Sequence, residues 1–129
     1  MRQDAVGGLL LKLKSDGTTA TDFGLNGFTE LNFGTSAITK QIILRDGFFY
    51  VLMQASVSGQ TQLVIAKVLN SGILDTTFHD AGFFALPWSD NQSAYAINAV
   101  VDKQDRLVIY MGVRNGFDKD IGITRFCLR

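Results

Sequence analysis

The sequence predicts an all-β fold of β-propeller blades: about two four-stranded antiparallel blades per chain plus one extra strand. Three observations lead there. The chain of 129 residues carries an ordered internal repeat, its β-rich runs are short and separated by turn chemistry, and two of those runs are apolar without alternation.

The repeat is the strongest of the three. Leu10-Leu11-Lys12-Leu13-Lys14-Ser15-Asp16-Gly17 lies over Ile65-Ala66-Lys67-Val68-Leu69-Asn70-Ser71-Gly72, 55 residues further on. At the same spacing Phe23 meets Phe78, Gly27 meets Gly82, Phe28 meets Phe83 and Phe33 meets Trp88. About four extra residues near 89–93 then widen the spacing to 59. There Ala37-Ile38 meets Ala96-Ile97, Asp46 meets Asp105, and Phe49-Tyr50-Val51 meets Val108-Ile109-Tyr110. Ile123-Thr124-Arg125-Phe126 restarts the pattern of Ile65-Ala66-Lys67-Val68. One domain over 1–129 is expected, with repeat 1 at about 8–63, repeat 2 at about 64–121 and the start of a third at 122–129. Self-similarity at a fixed period is the mark of stacked repeat architectures.

Each copy reads as four strands. They are expected near 8–14, 27–32, 37–44, 48–56, 61–69, 82–87, 94–102, 106–114 and 120–128. Asp16-Gly17, Asp46-Gly47 and Ser71-Gly72 put glycine where tight turns need positive φ. Residues 102–106 form a longer hairpin loop, and Gly27 and Gly82, each before a Phe, mark a bulge or close backbone approach at a strand start. Phe48–Met53 and Leu107–Met111 are nearly continuous in apolar residues, as expected of a sheet packed on both faces. A β-sandwich would suit the strand count as well. Tandem units of this size favour blades. Eleven of the twelve acids are Asp, with Glu30 the single Glu, and Asp favours turns over helix interiors.

Composition narrows the function classes. Apolar residues make up 47% and charged residues 19%, the balance of a folded globular chain. Twelve basic residues offset twelve acidic ones, leaving no long-range field to gather nucleic acid or an anionic membrane. No apolar run is long enough to cross a bilayer, and Met1-Arg2-Gln3-Asp4 is not followed by the apolar stretch of a signal peptide. Cys127 is the single cysteine, so no internal disulfide can form, and a buried, inert thiol is expected there.

With these residues in view, Asn70-Ser71-Gly72-Ile73-Leu74-Asp75-Thr76-Thr77-Phe78-His79-Asp80-Ala81-Gly82 resembles the signature of the delta-sixty repeat, a bacterial β-propeller-like unit. That signature runs roughly Asp-Gly-x-Leu-Asp-x-x-Phe-Gly-x-x-Gly, often after an Ala-Arg-Leu strand end. Ile65-Ala66-Lys67-Val68 is similar to that strand end with Lys for Arg, and Arg125-Phe126 restores the Arg. The first copy departs at Ala20, where Asp75 stands in the second, and the second departs at His79, where the family has Gly. The resemblance implies a bacterial repeat protein, with an exported or cell-surface location among the possibilities, and implies no particular activity.

A propeller needs about four to eight blades, so a two-blade chain must have its flanks covered from outside. Two arrangements are open: copies of the chain closing head to tail into a ring, with a trimer favoured, or adjoining blades of a longer chain. Lys12, Lys67 and Arg125 recur at one repeat position, which suggests a structural charge bonded to a turn acid such as Asp22 or Asp75.

No catalytic constellation is present. His79 has no second His beside it and reads as a solvated or capping residue, and Asp118-Lys119-Asp120 reads as a hairpin tip too poor in oxygens for calcium. No metal and no cofactor is expected. The one candidate ligand site is the insertion with its aromatic flanks: Trp88, Asp90, Asn91, Gln92 and Tyr95. Aromatic faces beside amides and a carboxylate suit a carbohydrate, whose C–H faces stack while its hydroxyls need fixed partners. Against that, Phe33 matches Trp88, which favours packing between blades for this ring, and a polar insertion is most simply a surface loop. The expected function is therefore a non-catalytic binding or scaffold module. A lectin-like protein is the alternative, and an enzyme comes last.

Overall fold

A computed structural model of the chain describes residues 7–34, 36–57, 59–86, 93–115 and 118–128. Among these there is no helix. Nine strands run in the expected order: β1 (Gly8–Leu11), β2 (Phe28–Leu31), β3 (Ser36–Arg45), β4 (Phe48–Val57), β5 (Gln60–Leu69), β6 (Phe83–Ala85), β7 (Ser93–Val101), β8 (Arg106–Asn115) and β9 (Asp118–Cys127). They form three antiparallel sheets, β1-β2, β3-β4-β5-β6 and β7-β8-β9. Instead of two four-stranded sheets and a spare strand, the chain thus makes one sheet of four, one of three and one of two. Residues 8–63, the first sequence unit, supply β1 and β2 to one sheet and β3 and β4 to the next.

The segments after β1 and β5 repeat bond for bond. Gly27 N–H donates to the Phe23 carbonyl and Lys12 N–H to the Gly27 carbonyl, as Gly82 N–H donates to Phe78 and Lys67 N–H to Gly82. Gly27 and Gly82 hold φ of 94° and 102°, a region open to glycine. A Cβ on Gly82 would fall 2.6 Å from Leu74 Cγ, and one on Gly27 2.2 Å from Thr19 Cγ2. Both strand starts are therefore close-approach sites.

Later in the chain the spacing differs from the expected 59. β3 and β7 each carry a bulge, between Thr39 and Gln41 and between Ala96 and Asn98, which sets these strands 57 apart. The β3–β4 hairpin closes on Asp46-Gly47, whereas the β7–β8 hairpin spends one residue more, so β4 and β8 are 58 apart and Met53 corresponds to Met111. Phe49-Tyr50-Val51 consequently corresponds to Leu107-Val108-Ile109, one residue earlier than the sequence alignment puts it. Both hairpins place an Asp at positive φ, Asp46 at 52° and Asp105 at 57°, and this shared chemistry is what draws an alignment to the wrong spacing.

Two cores hold the sheets together, and they are the same core twice. Leu10, Phe23 and Leu31 from the two-stranded sheet pack on Ala37, Val51, Met53 and Val64 of the four-stranded sheet. Their repeat counterparts Ile65, Phe78 and Leu86 pack on Ala94, Ile109 and Met111 of the three-stranded sheet. β4 and β5 are dry on both faces because a sheet lies on each side, which explains the unbroken apolar run of Phe48–Met53.

Polar clamps align the second pair of sheets. The Gln41 carboxamide donates to the Ala99 carbonyl at 2.6 Å and accepts from the Ala99 N–H at 3.0 Å, so one side chain meets both main-chain polar groups of one residue across the gap. Arg45, at the end of β3, pairs with Asp105 in the β7–β8 turn.

Candidate binding surfaces

The exposed apolar residues are not scattered. Along β9, Phe126 points to the core while Ile121, Ile123 and Cys127 share the outer face. Register places Gly112 opposite Ile121 and Tyr110 opposite Ile123, with Tyr95 and Val100 continuing the face on β7. The two isoleucines have buried counterparts in the four-stranded sheet: Leu63 and Ile65 are 1% and 0% exposed, whereas Ile121 and Ile123 are 78% and 63% exposed. The opposite flank repeats the situation. Leu9, Leu11 and Leu13 face outward from β1 and its continuation, and their counterparts Val64, Ala66 and Val68 are fully covered. Ile42 and Leu44 on β3 are also open, because the sheet against that face has two strands and stops short of them; the matching Ala99 is buried.

Cys127 is exposed on this outer face, contrary to the buried thiol the sequence suggests. Its parity with Ile121 and Ile123 carries the reason: in a strand, alternate residues share a face, and this face has no sheet against it among the described residues.

A cavity of about 400 Å³ opens beside the start of β7, the last residues of β8 and the first of β9, lined by Tyr95, Gly112, Val113, Arg114, Lys119 and Asp120. Gly112 leaves room beside the Tyr95 ring, since a Cβ built there meets nothing within 4 Å. Arg114 and Lys119 sit directly across from each other. An aromatic ring, two cations and a carboxylate around an open hollow can stack a sugar ring and hold its polar or anionic substituents. Ile38, the counterpart of Tyr95, is itself 58% exposed although its sheet is covered on both sides, so this position stays open whether or not a sheet stacks. Of the sequence-expected ligand residues, Tyr95 lines the cavity. Trp88, Asp90, Asn91 and Gln92 lie outside the described residues.

The expected pairing of the repeated cation holds in the second copy. Lys67 Nζ lies 3.4 Å from Asp75 and 4.1 Å above the centre of the Phe48 ring. The Asp75 carboxyl also accepts from the Thr77 hydroxyl at 2.5 Å and the Thr77 N–H at 3.1 Å. The Thr77 hydroxyl bond holds its pKa below the ordinary Asp value; burial works against this, and the Thr77 amide and Lys67 add to it. With Ala20 in place of Asp75, the first copy has no such acid, and Lys12 instead lies 5.6 Å from the centre of the Phe23 ring. His79 is exposed at φ 44°, in the place of Gly24 at φ 56°, and its ring sits 4.5 Å from Phe84 and 5.4 Å from Phe126. It is thus a stacked residue at the seam of two sheets. No group of three or more potential metal-ligating side chains occurs among the described residues.

Comparison with known proteins finds no family model, no curated protein and no solved structure that matches the chain.

Proposed function

We propose that this protein is a non-catalytic binding or scaffold module built of propeller blades, whose open flanks are covered by further sheets of the same repeat. The delta-sixty-like turn of residues 70–82 fits this reading. One observation carries it: Ile121 and Ile123 lie bare at positions whose counterparts Leu63 and Ile65 are sealed by a neighbouring sheet. Full burial of a large aliphatic side chain contributes about 1.5–3 kcal/mol, so covering either flank is favourable by several such increments before association costs. Copies of the chain or adjoining blades could supply the cover, and a head-to-tail contact between copies would be heterologous.

Light scattering against concentration tests the reading. The mass is expected to rise above 14.1 kDa and to fall back to it in an Ile123→Glu variant. A chain that stays monomeric at millimolar concentration and binds no hydrophobic dye would contradict it. The Tyr95 cavity favours a second reading, carbohydrate binding, because that position is open by construction of the repeat. Binding to a glycan array that Tyr95→Ala abolishes would support it, and an array with no signal would remove it.

A further inference from the structure

Three strands in this chain, β1, β5 and β9, hold corresponding places in the repeat, and the first two each pair with the strand that follows them. β1 and β5 present the same edge bonds to the segment that comes after them. Lys12 N–H donates to Gly27 O and Lys12 O accepts from Ala20 N–H; Lys67 N–H donates to Gly82 O and Lys67 O accepts from Asp75 N–H. Further along, Leu86 N–H donates to the Leu63 carbonyl. Residues 63 and 67, and by alternation 65, thus turn their peptide groups toward β6. β9 is the third of these strands, 58 residues after β5, and its corresponding residues are Ile121, Ile123 and Arg125. Leu128 N–H, of the other parity, bonds inward to Asp105. The edge formed by Ile121, Ile123 and Arg125 is the outer edge of its sheet.

We infer that the outer edge of β9 accepts a turn-and-strand segment of this same repeat as a fourth strand. The chain specifies the chemistry of that segment. Residues 23–31 and 78–86 share the pattern Phe-x-x-x-Gly-Phe-x-x-Leu, in which the first Phe and the Leu enter the core and the Gly makes the close approach. Arg125 stands where Lys67 stands and is exposed, so a segment with an acid at the Asp75 position meets a cation there. Main-chain pairing supplies affinity, and the Phe and Leu, laid on the apolar outer face beside Ile121 and Ile123, supply selectivity, as in other strand-addition complexes. This deepens the scaffold reading, and takes from it the identity of the occupant.

The probe is a labelled synthetic peptide with the sequence of residues 70–86, titrated into the full chain and followed by fluorescence anisotropy. Saturable binding is expected. N-methylation of the peptide at Phe84, whose amide would face β9, is expected to weaken binding about ten-fold or more, whereas N-methylation at Ala85, whose amide would face solvent, leaves it unchanged. In the protein, Ile123→Pro removes a donor from the open edge, a site where a strand tolerates proline; it is expected to abolish binding, and Ile123→Val to preserve it. Absence of saturable binding, equal effects of the two methylations, or binding that survives Ile123→Pro would each overturn the inference, the last by showing that the peptide displaces the chain's own β6. Self-association by mass is a separate readout. A chain that associates but ignores the peptide loses this inference and keeps the scaffold reading, and a monomer that takes the peptide with the expected amide dependence does the reverse.

Discussion

The four-stranded and three-stranded sheets are built from corresponding residues and sit in different surroundings. Leu63 and Ile65 on β5 match Ile121 and Ile123 on β9, aliphatic for aliphatic, yet the first pair is dry and the second lies in water. Residue type therefore does not decide burial here. The neighbouring sheet does, and the third sheet retains the apolar face that a neighbour would need. Domains bury one face of a sheet against another layer, and here one core recurs across both contacts between the three sheets.

The largest expected effect breaks this pair apart. Ile65→Ala should destabilise the isolated chain by about 2–5 kcal/mol, because it leaves a cavity between packed sheets. Ile123→Ala should change stability by less than about 0.5 kcal/mol under dilute conditions. Urea unfolding of both variants measures the contrast. Equal losses would mean that the outer face is covered within a single chain.

Gly82→Ala probes the strand start on which both copies depend. Positive φ and a Cβ 2.6 Å from Leu74 Cγ together predict a loss of about 1–3 kcal/mol. Gly27→Ala should cost a similar amount, since its Cβ would meet Thr19 at 2.2 Å. Thermal unfolding of the two variants would separate a shared structural role from one confined to the second turn: a loss at Gly82 alone would show that the first copy has relaxed.

Much of this was legible in the sequence, and the exceptions have physical causes. All nine strands were placed, because Gly-containing turns and apolar runs signal strand limits locally. The Lys67–Asp75 pair was legible from recurrence of the cation at one repeat position. How the strands group into sheets was not, because hydrogen bonding begins a sheet at β3, in the middle of the sequence unit, and no residue marks that change of partner. Bulges near Lys40 and residue 97 and the one-residue difference in hairpin length shift the spacing silently, as such insertions do. Cys127 could have been placed outside from its parity with Ile121. The Tyr95 cavity depends on Gly112 and on the facing of Arg114 and Lys119 across β8 and β9, a register no linear pattern displays.

Gln41 sharpens the comparison at the level of a single residue's main chain. Its carboxamide meets both main-chain polar groups of Ala99, so Gln41→Leu should strip the Ala99 carbonyl of this donor, while the N–H keeps its Asn98 acceptor, at about 1–2 kcal/mol. Asn98 holds the corresponding place on β7 and lies exposed on the flank, with its side chain accepting from Ala99 N–H. Asn98→Ala should fall within about 0.5 kcal/mol. Denaturation midpoints at unchanged slope would test the difference.

The smallest effect separates the two turn segments by pH. Asp75 is held below its ordinary pKa, first by the Thr77 hydroxyl bond, so its carboxylate contributes stability that is fully present above the unfolded-state value of about 3.9 and lost as pH falls through the lower folded-state value. The first copy has Ala20 at this place and nothing there to protonate. Between about pH 5 and pH 2.5, amide protection at Phe78 and Gly82 should therefore fall more than at Phe23 and Gly27. The depressed pKa of Asp102 acts in the β7–β8 turn, and that of Asp16 in the tight turn at the head of the first segment, where its carboxylate bonds Thr18 and not Phe23 or Gly27. Asp75→Asn should flatten the difference while leaving the response at Gly27 as it was. Hydrogen exchange followed by NMR makes the measurement, and a parallel fall at Gly27 and Gly82 would assign the acid response to unfolding of the whole chain rather than to the Asp75 turn.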